Sequence, residues 1–148
     1  MKHVRKSVLL WYSPREMYTL VTAVESYPKF LPWCRAAEVL ERHQDGLTAR
    51  LSLAYMGVQQ AFTTRNRDVV DESVTLSLVD GPFSLLDGNW LFKPLGGASQ
   101  SACKIEFDMR YAFSSPALEA AVSPVFDKVA NTLVESFVRR AEAVYGAR

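Results

Sequence analysis

At Ser114 the hydrophobic pattern changes from the period of a strand to that of a helix, and this switch limits the fold more than any other feature of the chain. Before it, Cys103, Ile105, Phe107, Met109, Tyr111 and Phe113 alternate with Lys104, Glu106, Asp108 and Arg110, as in a strand with one buried face. Ser114-Ser115-Pro116 then supplies a cap and a proline at the first helical position, where no amide hydrogen is needed. Beyond it, Leu118, Val122, Val125, Phe126, Val129, Leu133, Phe137, Ala141 and Val144 trace one stripe almost to the C-terminus. Such a helix of about 30 residues is roughly 45 Å long and must lie on something. Pro124 inside the stripe is expected to kink or divide it, because it removes an amide and crowds the preceding turn.

The upstream sequence supplies the bed for that helix. Residues 3–11 read as a first strand. Ser13-Pro14-Arg15-Glu16 has the form of a capping box, and Met17, Leu20, Val21 and Val24 follow at helical spacing. Pro28 and Pro32 confine residues 27–33 to a second helical turn or compact loop. Asp45-Gly46 is a hairpin signal between 36–42 and 47–56, where Leu47, Ala49, Leu51, Leu53 and Tyr55 share a face opposite Thr48, Arg50 and Ser52. Gly57 turns the chain into a more polar strand over 58–68, and Val74, Leu76 and Leu78 mark another over 72–80. Gly81-Pro82 ends that strand, 83–88 is expected as a loop, and Trp90 and Phe92 open a strand ending near Pro94 and Gly96-Gly97. Strands joined by short turns make an antiparallel meander, which the first strand can close at an edge. The expected class is α+β: a curved seven-stranded antiparallel sheet wrapped around the C-terminal helix, with two short helices between the first and second strands. The 148 residues suit a single domain over 1–148.

Composition narrows the functional classes. Cys34 and Cys103 form no C-x-x-C pair and, with only His3 and His43 to help, make neither a zinc site nor a disulfide framework; two reduced, half-buried thiols of a cytosolic protein are expected. No apolar stretch suits a signal peptide or a membrane span, so a cytoplasmic chain is expected. Seventeen basic against sixteen acidic side chains leave global charge silent about nucleic acid and membrane alike. Both histidines fall at strand or hairpin ends, while Asp45, Asp71 and Asp87 fall in turns and Glu106 and Asp108 on a polar face. No nucleophile stands beside a base, so catalysis and a cofactor are not expected.

A strongly curved sheet gripping one helix leaves space between them, and such pockets are mostly apolar with few polar groups. Tyr55, Phe62, Trp90, Phe92, Phe107, Phe126 and Phe137 are the inner-face aromatic candidates. Four separated motifs then carry a resemblance that spans nearly the whole chain. Tyr27-Pro28-Lys29-Phe30-Leu31-Pro32-Trp33-Cys34 and Phe62-Thr63-Thr64-Arg65-Asn66 are two of them. Gly81-Pro82-Phe83 with Leu86, Gly88, Trp90 and Phe92 is the third, and Pro124-Val125-Phe126 with Phe137-Val138-Arg139-Arg140-Ala141 the fourth. Together they resemble the RatA-like, coenzyme Q-binding START-domain proteins, and Phe62–Asn66 is closer to the bacterial RatA branch than to the mitochondrial one.

The resemblance implies a helix-grip, START-like fold and binding of a polyprenyl quinone such as ubiquinone in support of respiratory electron transfer. The implied ligand-binding set is Tyr27, Phe30, Leu31, Trp33, Tyr55, Phe62, Phe83, Trp90, Phe92, Phe107, Val122, Phe126, Val129 and Leu133. Each buried methylene of the tail is worth about 0.8 kcal/mol, and the Tyr55 hydroxyl and Trp90 indole are candidate donors to the head. Residues 27–33 would form either a gate at the mouth, touching the inner membrane transiently, or a fixed plug. The same resemblance implies a second biology: RatA-type toxins associate with the large ribosomal subunit and obstruct subunit joining. That partner requires a basic face. The sequence offers Lys2, Arg5 and Lys6; Arg65 and Arg67; and Lys128, Arg139 and Arg140, with Glu135 and Glu142 diluting the last group. DNA is not an expected partner.

Overall fold

Each alternating segment is a strand in the computed structural model, which describes residues 1–96 and 101–148; Gly97, at the expected end of one strand, lies outside them. The strands are β1 (Lys2–Leu10), β2 (Cys34–His43), β3 (Gly46–Tyr55), β4 (Val58–Val69), β5 (Ser73–Asp80), β6 (Phe83–Leu95) and β7 (Ala102–Phe113). The helices are α1 (Pro14–Thr22) and α2 (Pro116–Tyr145), with a 3₁₀ helix Val24–Lys29 after α1. All the strands join one seven-stranded sheet in the order β1-β7-β6-β5-β4-β3-β2. The meander runs from β2 to β7, and β1 closes it, with Val4 opposite Met109 and Val8 opposite Ile105.

Local chemistry explains most of these elements. The Ser13 hydroxyl accepts from the Glu16 amide at 3.1 Å while the Glu16 carboxylate accepts from the Ser13 amide at 2.9 Å, which starts α1. Between β2 and β3, His43 pairs with Gly46, so the turn is Gln44 and Asp45, one position earlier than the sequence suggests. Gly46 is needed for a different reason: a Cβ there would stand 2.0 Å from the Asn66 carbonyl oxygen of β4.

Four expectations are corrected. Residues 83–88 are strand, not loop, because β6 pairs with β7 from Phe83↔Phe113 to Leu95↔Ala102. A bulge between Phe83 and Leu85 shifts the phase, so Phe83 and Leu86 are both buried and strict alternation is lost. Pro124 does not divide the stripe into separate helices, since α2 is continuous from Pro116 to Tyr145. Pro124 and Ala120 are both exposed, so water can take the carbonyl that the missing amide leaves free. Val144 is 47% exposed, because the last turn of α2 meets α1 through Tyr145 instead, whose hydroxyl donates to the Glu16 carbonyl at 2.9 Å. Cys34 and Cys103 are fully rather than half buried, and burial pushes both thiols up to about 11.

Polar clamps hold α2 at both ends. Near its start, the Lys2 ammonium donates to Ser123 at 2.7 Å and also to Asp127, whose carboxylate accepts from the Tyr111 hydroxyl as well. Beyond its end, the Arg148 guanidinium donates to both carboxylate oxygens of Glu16, at 2.7 and 2.9 Å, and lies 5.0 Å over the Tyr12 ring. These clamps tie the start of α2 to the sheet and the segment after its end to α1, independently of the one backbone hydrogen bond lost at Pro124. Replacing Pro124 with Ala therefore restores that bond at no packing cost, and urea unfolding of Pro124→Ala is expected to show about 1–3 kcal/mol of added stability. A loss would mean that the ring shapes α2 for the sheet.

Candidate functional site

Phe126, Val129, Ala130, Leu133 and Phe137 recur at helical spacing and turn one face of α2 onto the sheet. The two rings are hubs. Phe126 meets Phe83 at 4.9 Å, Tyr111 at 4.8 Å and Phe62 at 6.0 Å between ring centres. Phe137 meets Tyr27 at 5.4 Å, Phe30 at 5.1 Å and Trp90 at 5.2 Å. These contacts hold the helix off the sheet at two points. Between them stand Ala130 on α2 and Ala49 on β3, too short to close the gap, and a cavity of about 60 Å³ remains.

Of the expected ligand-binding residues, Tyr27, Trp33, Phe62, Trp90, Phe126, Val129 and Leu133 line this cavity. The others are placed elsewhere. Phe107 is buried behind Trp90, 4.5 Å from it, and Phe92 packs against Tyr18 of α1. Phe83 belongs to the Phe126 cluster, and Leu31 and Val122 are core residues about 1% exposed. Phe30 covers the outer side of Phe137, and Tyr55 lies at the end of β3 with Lys128 5.7 Å over its ring. The sequence reading missed Thr64 and Asn66 as lining groups, although both lie in the Phe62–Asn66 motif and share the inward phase of β4 with Phe62. Their polarity at inward positions was the available signal.

The cavity wall is apolar apart from a few atoms. The Thr64 hydroxyl donates to Asn66 Oδ1 at 2.7 Å, and among the described residues neither Asn66 Nδ2 nor Trp90 Nε1 has a protein acceptor. The Tyr27 hydroxyl donates to the Val21 carbonyl; burial, then the nearby Asp68, pushes this phenol above its usual range. No carboxylate, imidazole or ammonium group lines the cavity. His3 instead pairs with Asp108 at 2.8 Å on the outer face, and His43 shares a hydrogen bond with Thr48 at 2.9 Å. A wider hollow of about 760 Å³ on the outer face of the sheet carries charge, but all of it except Lys6 is spent in pairs such as Arg110–Asp87 at 3.0 Å and Arg5–Asp108 at 3.0 Å.

A curved sheet gripping one long helix over a small apolar hollow defines a helix-grip, START-like protein. Solved structures carry the same fold. The Zhui aromatase/cyclase from Streptomyces sp. R1128 matches with a TM-score of 0.79 at 16% identity, covering 99% of each chain. A START superfamily protein from Mycobacterium smegmatis matches with a TM-score of 0.76 at 19% identity, over 96% of this chain and 98% of that one. At such identities the likeness is one of fold.

Residues 10–138 match the family described as polyketide cyclase / dehydrase and lipid transport, and the chain belongs to it, in the RatA-like branch. It is 42% identical over 144 residues to the ribosome association toxin RatA of Pseudomonas aeruginosa, which covers 97% of this chain and 98% of that one. A more distant relative is the mitochondrial coenzyme Q-binding protein COQ10 homolog B of Xenopus laevis, 27% identical over 142 residues, 95% of this chain and 58% of that one.

Behind the cavity wall, Asp68 of β4 is half buried and its Oδ1 has no hydrogen-bond partner. Burial pushes this carboxyl above its ordinary 3.8, against the pull of Arg65, with Asp45 adding to the rise. The folded chain therefore holds this proton to a higher pH than the unfolded chain does. Asp68 costs stability at neutral pH, and the cost disappears as pH falls through its raised value toward 3.8. Asp68→Asn is expected to raise the urea midpoint at neutral pH and to gain less, or nothing, near pH 4. Equal shifts at both pH values would place the effect in packing rather than charge.

Proposed function

We propose that the protein binds the large ribosomal subunit and obstructs subunit joining, as a RatA-type toxin. The observation that carries this reading is the 42% identity to a ribosome association toxin along almost the whole of both chains. The interior supports it indirectly. Ligand pockets for drug-sized molecules run to about 300–1,000 Å³, and the cavity of about 60 Å³ holds only a few waters in this conformation. A molecule of polyprenyl quinone size enters only if α2 or the 3₁₀ helix Val24–Lys29 moves away from the sheet.

Binding of a hydrophobic ligand is the second reading, favoured by the unpartnered Trp90 and Asn66 donors inside an otherwise apolar wall. A quinone head offers carbonyl acceptors to such donors, and the partly buried Tyr27, Leu51 and Leu133 mark the side from which the cavity would open. In that reading the protein is a non-catalytic carrier working in the cytoplasm and at the inner membrane. No described helix is long and apolar enough to cross a membrane.

Sucrose-gradient sedimentation tests the first reading. The protein is expected to travel with purified large subunits at low salt and to leave them as salt rises, since phosphate contacts release counterions. Free protein at low salt overturns it. Ala49→Val separates the two readings by filling the cavity from β3. The variant is expected to gain about 1 kcal/mol of stability, since each buried methylene is worth about 0.8 kcal/mol, and to sediment unchanged. If mass spectrometry finds quinone in the wild type and less in Ala49→Val, and sedimentation falls with it, the ligand reading replaces the ribosomal one.

A further inference from the structure

Ion pairing divides the basic clusters of this chain sharply. Lys2 is held by Asp127, and Arg5 by Asp108 at 3.0 Å. Arg65 and Arg67 both reach Asp45. The third cluster is different: among the described residues Lys128, Arg139 and Arg140 have no carboxylate within 4.0 Å, and neither do Lys6 and Lys29. Every other lysine and arginine is paired except Arg35, which stands apart beside Ala54 and Gln59.

These free cations lie on α2 or on the elements that flank it. Lys128 and Arg139 are three helical turns apart on α2, hence on one line along its solvent face and about 16 Å from each other. Arg139 and Lys6 border the same groove between α2 and β1, where Glu135 also stands. On the opposite side the Arg140 guanidinium lies 5.1 Å over the ring of Phe30, the neighbour of Lys29. Lys128 is seated over Tyr55 in the same manner, at 5.7 Å. Glu135 and Glu142 interrupt the strip but pair with none of its cations.

We propose that this strip of α2, flanked by Lys6 and Lys29, is the surface that meets the sugar-phosphate backbone of ribosomal RNA. The proposal rests on the ribosomal reading above and assigns it a face. A cation without a carboxylate partner can neutralise a phosphate and release the counterion condensed on the RNA there, whereas a paired cation must first surrender its partner. The rings beneath Lys128 and Arg140 limit side-chain motion beforehand, so less freedom is lost on contact. An anionic membrane would also want exposed apolar side chains beside the charge, and the β3–β4 turn next to Tyr55 offers one, Met56, 72% exposed.

Lys128→Gln/Arg139→Gln removes two exposed charges from the strip, and Arg42→Gln/Arg50→Gln removes two paired ones from β2 and β3. Binding to purified large subunits is measured across a salt series, with thermal melts to confirm that both variants fold. The strip variant is expected to bind about tenfold more weakly or worse, with a log–log salt slope shallower by roughly two. The control is expected to change less than threefold. Equal losses in the two variants, or none in the strip variant, overturn the assignment while leaving ribosome association intact. Failure of the wild type to bind subunits removes the ribosomal reading itself. Should wild type bind phosphatidylglycerol vesicles instead, with loss in the strip variant, the face belongs to a membrane and the RNA assignment falls.

Discussion

The distance at which α2 stands from the sheet decides what the interior can be. Phe126 and Phe137 set that distance from two points on the helix, each wedged among rings from the sheet or the 3₁₀ segment. A close-packed protein leaves few voids larger than a water molecule, so a gap that persists between two such wedges follows from the short side chains of Ala49 and Ala130. The polar clamps through Lys2 and Arg148 fix the same helix along its length. Hub, gap and clamp are parts of one arrangement, and shortening either ring would let the helix settle inward.

Interior and exterior then divide the chemistry. The cavity has two unpartnered donors and no charge, which suits holding a neutral guest or nothing. The outer face of the sheet is charged but internally balanced, so it presents little net field to a partner. Half of the cations without carboxylate partners, Lys128, Arg139 and Arg140, stand along α2, and two of these are seated on aromatic rings. A net charge of +1 conceals this division entirely.

Much of the architecture was legible because it rests on local periodicity. The alternation of β7, the capping box at Ser13 and the stripe of α2 each follow from side chains within a few residues of one another. What escaped depended on distant partners. Residues 83–88 look like a loop until the bulge against β7 is known, and Pro124 looks like a break until its exposed position is known. The site was legible as a set of aromatic residues but not as a wall: Phe92, Phe107 and Tyr55 have the composition of cavity residues, yet α1, Trp90 and Lys128 claim them. Thr64 and Asn66 stood at the inward phase that Phe62 sets on β4, but only the packing of α2 over the sheet makes them part of the cavity wall.

The pairing of β1 with β7 has a consequence for synthesis. The residues joined across that ladder are separated by most of the chain, with Lys2 opposite Tyr111 and Leu10 opposite Cys103. Contacts of such high sequence separation form slowly, because a large loop must close before they reward it. While the polypeptide is still being made, β2 to β6 can hairpin in succession, but their concave face has no lid until the last third has emerged. The nascent chain therefore passes through a stage with a greasy half-shell open to its surroundings, a stage at which chaperone capture or self-association competes with completion.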